Sequence, residues 1–106
     1  MSDDTDKPTS LKDRTVNNLE ISGWLFSPVE QANTVKGQAY LKTKLMTAHD
    51  KPLVDIKLWI NKNTNPVHVQ EALGHKEGDN VVVTGELEVW TFNGRVYVGV
   101  NARSIE

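Results

Sequence analysis

Aromatic rings and lysines share the outward positions of two stretches in this 106-residue sequence. Over 38–47 and 54–61, apolar side chains alternate with polar or aromatic ones, as in strands that have one buried face. The outward positions hold Tyr40, Lys42, Lys44, Lys57 and Trp59. Bases of an unpaired nucleic-acid strand stack on such rings for about 1–3 kcal/mol each, and lysines attract its phosphates. The pattern predicts a face that binds single-stranded nucleic acid.

A second group of candidate residues lies in a hairpin predicted over 78–106. Asn93-Gly94 favours a two-residue turn, because both turn positions must accept a positive φ angle. Such a turn fixes the strand register, so Trp90 is expected to face Tyr97 across the hairpin. The candidate binding residues on the exposed side are Trp90, Phe92, Arg95 and Tyr97. The opposite side is predicted to be core and carries Val81, Val83, Leu87, Val89, Val96, Val98 and Val100.

Outward aromatic rings have other uses, and the sequence leaves these open. A ring can pack beneath a loop or against a second subunit as well as against a base. Base stacking is the favoured interpretation for the rings of the second and third predicted strands. The hairpin rings are equally consistent with packing, because Glu86 and Glu88 share their face and would repel phosphates. Trp24 and Phe26 are predicted to be packing or interface residues, because their strand is expected to be paired along both edges.

Five strands and one helix are predicted to position these side chains. The predicted strands are 16–26, 38–47, 54–61 and the two strands of the hairpin, with 29–37 as a loop. Gly23 interrupts the first strand, which favours a bulge or bend that lets one strand serve both halves of a small barrel. Asn65-Pro66 predicts the start of a helix, and Gly74 a left-handed cap at its end. This order predicts an all-β fold, a five-stranded antiparallel OB-fold barrel with one short helix between strands three and four. An SH3-like barrel is the alternative, but it has no natural place for the helix.

Composition sets limits on the whole chain. Residues 1–12 are polar and acidic and are predicted to form a disordered N-terminal tail, with the OB-fold domain over 13–106. The net charge of −2 means that nucleic-acid binding would depend on a local positive patch. The sequence has neither an apolar run of bilayer length nor a secretion signal, so we expect a cytoplasmic protein without membrane contact.

Catalysis and metal binding have little support in the sequence. The chain has no cysteine, no Gly-x-Ser-x-Gly nucleophile motif and no phosphate-binding glycine loop. Its histidines, His49, His68 and His75, lack the spacing that puts two metal ligands on one helical face. Some OB-fold nucleases combine carboxylates with arginines, but the acidic residues here occupy ordinary solvent-facing positions. We therefore expect no enzymatic activity, no cofactor, no metal and no small-molecule substrate.

The motifs of the C-terminal half extend this interpretation. The predicted helix is followed by Gly78, a valine-rich strand, a Gly85-Glu86-Leu87 step, Trp90 and a closing strand over 100–105. Together with Ile21-Ser22-Gly23-Trp24-Leu25 and Pro28 near the start, this arrangement resembles bacterial and phage single-stranded DNA-binding proteins over residues 16–106. The resemblance implies that Trp59 and Trp90 stack on bases and that the protein forms homo-oligomers, often through the first strands. The sequence ends without the family's flexible, acid-tipped tail, which favours a phage-type or reduced member.

The expected function is therefore non-catalytic, sequence-tolerant binding of single-stranded DNA in replication, recombination or repair, at a nucleoid or in a host cytoplasm. Two alternatives stay open. The same aromatic face could dock a protein, as an OB-fold subunit of a replication or RNA-processing complex. It could also bind RNA, because base stacking does not distinguish the two sugars.

Overall fold

The computed structural model of the protein describes residues 17–106, and it is mostly β-sheet with one short helix. The predicted tail, 1–12, and the first residues of the predicted domain, 13–16, lie outside the described residues. The elements are β1 (Leu19–Leu25), β2 (Glu30–Asn33), β3 (Ala39–Met46), β4 (Val54–Trp59), α1 (Pro66–Leu73), β5 (Asn80–Phe92) and β6 (Arg95–Ile105). The helix lies between the third and fourth of the predicted strands, as the sequence indicated.

All six strands belong to one sheet in the order β1-β5-β6-β4-β3-β2, and a further β1–β3 pairing closes five of them into a ring. The prediction of five strands was incomplete, because β2 forms where a loop was expected. It pairs with β3 along one edge only, with Gln31 opposite Leu41. Three of its four residues are exposed, so it lacks the apolar alternation that reveals a strand in sequence. The pairing of β4 with β6 is parallel, which also departs from the antiparallel prediction.

Gly23 lies where β1 passes from one side of the ring to the other. Residues Leu19–Trp24 pair with β5 in continuous register, and Trp24–Leu25 pair with β3. A Cβ atom at Gly23 would overlap the carbonyl oxygen of Met46, so the glycine permits a close approach of β1 to β3. The prediction that one strand serves both halves is confirmed. The expectation that both of its edges are fully paired is wrong, because no strand within residues 17–106 pairs with the second edge of 19–23.

The core fills the ring with the inward residues of the strands. The predicted inward faces of β3 and β4 are confirmed, since Leu41, Leu45, Ile56 and Leu58 are buried. One residue of α1, Ala72, is completely buried against this core. Each fully buried aliphatic side chain contributes about 1.5–3 kcal/mol, so this small set supplies most of the driving force for folding.

The helix begins as predicted but ends differently. The Oδ1 atom of Asn65 accepts a hydrogen bond from the Val67 N–H at 3.0 Å, and Pro66 follows it. Gly74 has a φ angle of −78°, so the predicted left-handed cap at this position is wrong. The positive φ angle comes at Gly78, in the turn that leads into β5. Within 17–106, no helix has the length and apolar character needed to span a membrane.

The β5–β6 hairpin has the predicted register from the turn to the Gly85–Ala102 pair, with Trp90 opposite Tyr97, and the register shifts between Thr84 and Gly85. Asn93 and Gly94 have positive φ angles of 52° and 76°. Only the part of the hairpin near the ring is covered, because β1 pairs as far as Gly85 and β4 meets β6 from Gly99 onward. Residues 86–98, which we call the hairpin arm, extend beyond the ring.

One side of the hairpin arm is apolar and uncovered. Its residues are Leu87, Val89, Val96 and Val98, which are 47–66% exposed. The prediction that they belong to the core is wrong, although Val81, Val83 and Val100 of the same side are buried. The register placed all seven residues on one face correctly. No element of the described chain packs against the outer part of that face.

Candidate nucleic-acid interface

The β3–β4 register brings the first predicted rings together. Tyr40 lies directly opposite Trp59, with ring centroids 5.0 Å apart and planes tilted by 45°. The Nζ atom of Lys57 lies 5.5 Å from the Tyr40 centroid and 5.6 Å from the Trp59 centroid, within the range of a cation–π contact. Both rings are half-buried on the outer side of the ring of strands. Their outward orientation, on which the predicted binding face depends, is therefore present in the structure.

The hairpin contributes a second pair of rings to the same place. Trp90 and Tyr97 stack across β5 and β6 with centroids 5.8 Å apart and an interplanar angle of 16°. Lys57 Nζ is also 5.5 Å from the Trp90 centroid. One ammonium group thus joins the rings of the hairpin to those of β3 and β4. We call this group, which consists of Tyr40, Lys57, Trp59, Trp90 and Tyr97, the aromatic–lysine cluster.

The other two predicted lysines differ from each other in their surroundings. Lys42 is exposed and lies opposite Lys57 in the β3–β4 register. Like charges at opposed positions destabilise a sheet unless an anion relieves them, so this pair favours a bound anion. Lys44 instead forms an ion pair with Asp55, its Nζ atom 2.6 Å from Oδ1. Asp55 therefore competes with any phosphate for Lys44.

A cleft of about 400 Å³ lies along these strands beside the cluster. Three lysines and one tryptophan line it, namely Lys42, Lys44, Lys57 and Trp90. Two carboxylates, Asp55 and Glu30, lie at the same cleft. The positive charges outnumber the negative ones here, whereas the whole chain carries −2. The cleft thus has a small local excess of positive charge, as the predicted nucleic-acid site requires.

Two predicted residues lie away from the cluster. Phe92 is 62% exposed and Arg95 is exposed, and they face each other at the tip of the hairpin arm. Glu88 is half-buried on the same side of the arm as Trp90. The tip, which carries Arg95, is therefore separate from the cluster, and Glu88 lies between Trp90 and the ring of strands. Within residues 17–106, no group of three or more His, Asp or Glu side chains is arranged to hold a metal ion.

Comparison with known proteins gives evidence on the fold. No protein-family model and no curated protein sequence matches the chain. Solved structures do match. The SSB domain of a Synechococcus protein has a TM-score of 0.65 at 12% identity, with 86% of this chain and 94% of that chain covered. The chain shares its fold with single-stranded DNA-binding proteins.

Two further structures extend the comparison. The single-stranded DNA-binding protein of Thermus aquaticus matches with a TM-score of 0.63 at 20% identity and 86% coverage of this chain, which spans 39% of that longer protein. The N-terminal domain of PriB from Thermoanaerobacter tencongensis, described as dimeric, matches with a TM-score of 0.57 at 22% identity. The match covers 85% of this chain and 93% of that domain. The predicted resemblance is confirmed at the level of the fold.

Sequence reasoning missed two parts of this site. The Lys44–Asp55 ion pair depends on the register between β3 and β4, which a long connection does not specify. Glu30 reaches the cleft from β2, a strand that was not predicted. Asp55 already had outward parity in the sequence, so a weak signal for its place on this face was present.

Proposed function

We propose that this protein is a non-catalytic OB-fold protein that binds single-stranded DNA without sequence preference, in replication, recombination or repair. The observation that carries the proposal is the position of Lys57 Nζ, about equally far from the rings of Tyr40, Trp59 and Trp90. Rings and cation occur together on the outer side of a small closed sheet. This is the combination that unpaired strands use, with bases on the rings and phosphates on the cation.

The electrostatics of the cleft explain how an acidic chain would bind a polyanion. Lys57 and Lys42 lie side by side, and each phosphate that they neutralise releases counterions. Binding should therefore weaken as salt rises, with a slope of about 0.7 per phosphate contact for a single strand. Glu86 and Glu88 repel phosphates from the hairpin arm, so we place the DNA strand over β3 and β4 and not along the arm.

Tryptophan fluorescence tests this proposal directly. Titration with oligothymidylate should quench the emission of Trp59 and Trp90, and added salt should reverse the quenching. Lys57→Gln and Trp59→Leu should each weaken binding by about tenfold or more, from the lost phosphate contact and the lost stack. Lys36→Gln, at an exposed turn outside the cleft, is the matched charge control. Absence of quenching at low salt and micromolar protein would contradict the proposal.

The sugar preference needs its own measurement, because the rings do not read it. Matched DNA and RNA oligomers competing for the protein would show whether RNA is the tighter ligand. If RNA binds more tightly than DNA, RNA becomes the proposed ligand, and the proposed binding site stays the same.

Protein docking is the second candidate function, and the apolar side of the hairpin arm favours it. Leu87, Val89, Val96 and Val98 expose a continuous apolar surface, which is typical of an interface. The unpaired edge of β1 at 19–23 offers backbone groups to another strand. We propose that a second copy of the chain uses these surfaces in a homo-oligomer. Measured solution mass should exceed that of one chain and fall in Val89→Lys, which places a charge in the apolar surface.

One set of substitutions separates DNA binding from docking. Changing Lys42, Lys44 and Lys57 to glutamate should abolish DNA binding by reversing the charge of the cleft. If the docking surface is the apolar side of the hairpin arm, the triple variant should keep the solution mass of the unsubstituted protein, because none of the three lysines lies on the arm. If the triple variant loses the oligomer but keeps its DNA affinity, the function of the lysine face would be protein docking.

A further inference from the structure

A second aromatic surface lies outside the site described above. Trp24 is 44% exposed and Phe26 is 53% exposed, and the two rings border a cleft of about 580 Å³. Met46, His49 and Glu77 line the same cleft. The sequence predicted packing or interface contacts for these rings, and both remain substantially exposed within the described residues. Two neighbouring aromatic rings exposed to solvent indicate a binding surface, because burying an aromatic side chain is strongly favourable.

The strand register places this surface on the same outer face as the aromatic–lysine cluster. Trp24 lies opposite Met46 in the β1–β3 pairing, and the Phe26 N–H donates to the Lys44 carbonyl at 2.9 Å. Met46, Lys44 and Tyr40 alternate on the outward side of β3. Tyr40 and Met46 are six residues apart, which corresponds to about 20 Å along a strand.

The cations between the two aromatic surfaces connect them. Lys42 and Lys44 project from β3 between Tyr40 at one end and Met46 at the other. A DNA strand lying along β3 would therefore contact the rings of the aromatic–lysine cluster, then the two lysines, and then the rings of Trp24 and Phe26. At about 3.4 Å per stacked nucleotide, 20 Å corresponds to about six nucleotides, within the range of about 4–16 that OB-folds occupy.

From this arrangement we propose that Trp24 and Phe26 form a second base-stacking platform, so that bound single-stranded DNA runs along β3 from the aromatic–lysine cluster to the β1 end. The inference rests on the proposed function and specifies the path and length of the site. Glu77 also lines this cleft and repels phosphates, so the DNA should contact the rings and not the Glu77 carboxylate.

Oligonucleotide length distinguishes the two platforms. At about 3.4 Å per stacked nucleotide, a thymidine tetranucleotide does not reach from Tyr40 to Trp24, whereas a dodecanucleotide spans the distance. Trp24→Leu and Phe26→Leu should lower the affinity for the dodecanucleotide by about tenfold and leave that for the tetranucleotide nearly unchanged. Trp24→Phe keeps an aromatic face and should retain most of the affinity. Leucine preserves apolar bulk without a ring, so this pair separates stacking from simple packing.

Emission from Trp24 alone gives a second readout. The Trp59→Phe/Trp90→Phe double variant leaves Trp24 as the one tryptophan of the three in the chain, and keeps rings at the other two positions. Saturating dodecanucleotide, followed independently by the anisotropy of a labelled strand, should quench this emission. Unchanged Trp24 emission, with dodecanucleotide affinity unaffected by Trp24→Leu, would overturn the inference while the proposed function stood.

Two other outcomes are informative. If the unsubstituted protein binds neither oligonucleotide, the proposed function fails, and the second platform fails with it. If Trp24→Leu lowers the solution mass but leaves dodecanucleotide affinity intact, the rings contact a second copy of the chain, which also overturns the inference. Circular dichroism of each variant verifies that the fold is retained.

Discussion

Lys57 Nζ lies 5.5 Å from the centroid of Trp90, although the strands that carry these residues are not neighbours. Strand β6 lies between them, and Gly99 is the residue of β6 over which the tryptophan ring passes. A Cβ atom at Gly99 would lie 3.3 Å from Cη2 and Cζ3 of Trp90, and 2.9 Å from the carbonyl oxygen of Asp55. The contact between cation and ring therefore depends on the absence of a side chain on the strand between them.

Gly99→Ala is expected to separate the hairpin rings from the lysine. The added methyl group must displace the Trp90 ring, the Asp55 backbone or both, and such overpacking costs about 1–3 kcal/mol of unfolding free energy. Affinity for oligothymidylate should fall about fivefold or more, because Trp90 no longer lies beside Lys57. Urea unfolding and fluorescence titration measure the two effects.

Gly74→Ala is the matched control for this prediction. Gly74 has an ordinary φ angle of −78°, and a Cβ atom there would meet its nearest neighbour, the Glu71 carbonyl oxygen, at 3.4 Å. The change should leave stability unchanged or raise it slightly, because alanine restricts the unfolded chain. Equal stability and affinity in Gly99→Ala and Gly74→Ala would show that Gly99 does not determine the position of the ring.

Asp55→Asn should strengthen DNA binding. Asp55 holds Lys44 Nζ at 2.6 Å and is itself a negative charge in the cleft. Exposed ion pairs contribute only about 0.2–1 kcal/mol, so stability should change little. Affinity at low salt should rise about two- to tenfold, and the salt slope should steepen by about 0.7 if Lys44 gains a phosphate.

Asp50→Asn removes the same charge from an exposed turn and serves as the comparison. Should Asp50→Asn strengthen binding as much as Asp55→Asn, the effect would be one of net charge and not of the freed lysine. An unchanged salt slope in Asp55→Asn would likewise show that Lys44 makes no phosphate contact.

The hairpin register was predictable because a two-residue turn leaves one register open. Asn93 and Gly94 both accept the positive φ angles of this turn, and the Trp90–Tyr97 pair follows from counting residues outward from it. The connection between β3 and β4 is longer, over 47–53, and allows several registers. Alternation placed Lys44 and Asp55 on the same face, but only the structure pairs them.

Whether a side chain is buried was less predictable than the face of the sheet on which it lies. Alternation in the hairpin identified correctly which side Val89 and Val98 share with Val100, but it carries no information on whether another element covers that side. The arm is long enough to pass the end of β1, so these valines remain exposed. Trp24 is paired along both edges, with Asn80 and with Met46, and its ring is still exposed, because backbone pairing does not cover the face of a strand.

Acid should remove a local contribution to stability at the α1–β5 turn. The backbone N–H of Lys76 donates to Asp79 Oδ2 at 2.8 Å, and this hydrogen bond, followed by the nearby His75, lowers the pKa of Asp79 below its usual 3.8. A pKa that is lower in the folded state means that ionised Asp79 stabilises the fold above the unfolded pKa. That contribution is lost as pH falls through the folded pKa.

Asp79→Asn tests this linkage. The difference in unfolding free energy between the two proteins should be constant near neutral pH and should shrink as pH falls below about 4. Urea unfolding over a pH series measures it, and Asp50→Asn again provides the comparison, since that carboxylate accepts no comparable hydrogen bond among the described contacts. A difference that does not vary with pH would mean that the asparagine replaces the carboxylate fully.

Thr43→Val should loosen the wall of the cleft from the inside. Thr43 is the one buried polar residue of β3, and its hydroxyl donates to the Ser27 carbonyl at 2.9 Å. Ser27 lies in the connection between β1 and β2 and lines the cleft beside Lys42. Valine has a similar shape but cannot donate, so the carbonyl loses its partner at a cost of about 1–2 kcal/mol.

The local consequence is faster hydrogen exchange in the β1–β2 connection, because the hydrogen bond from Thr43 to the Ser27 carbonyl links that connection to β3. Thr43→Ser keeps the hydroxyl and loses only a methyl group, so it should preserve slow exchange at 27–30 even if it lowers stability by about 1 kcal/mol. Slow exchange in Thr43→Val, or equally fast exchange in both variants, would show that the hydroxyl does not hold this side of the cleft in place.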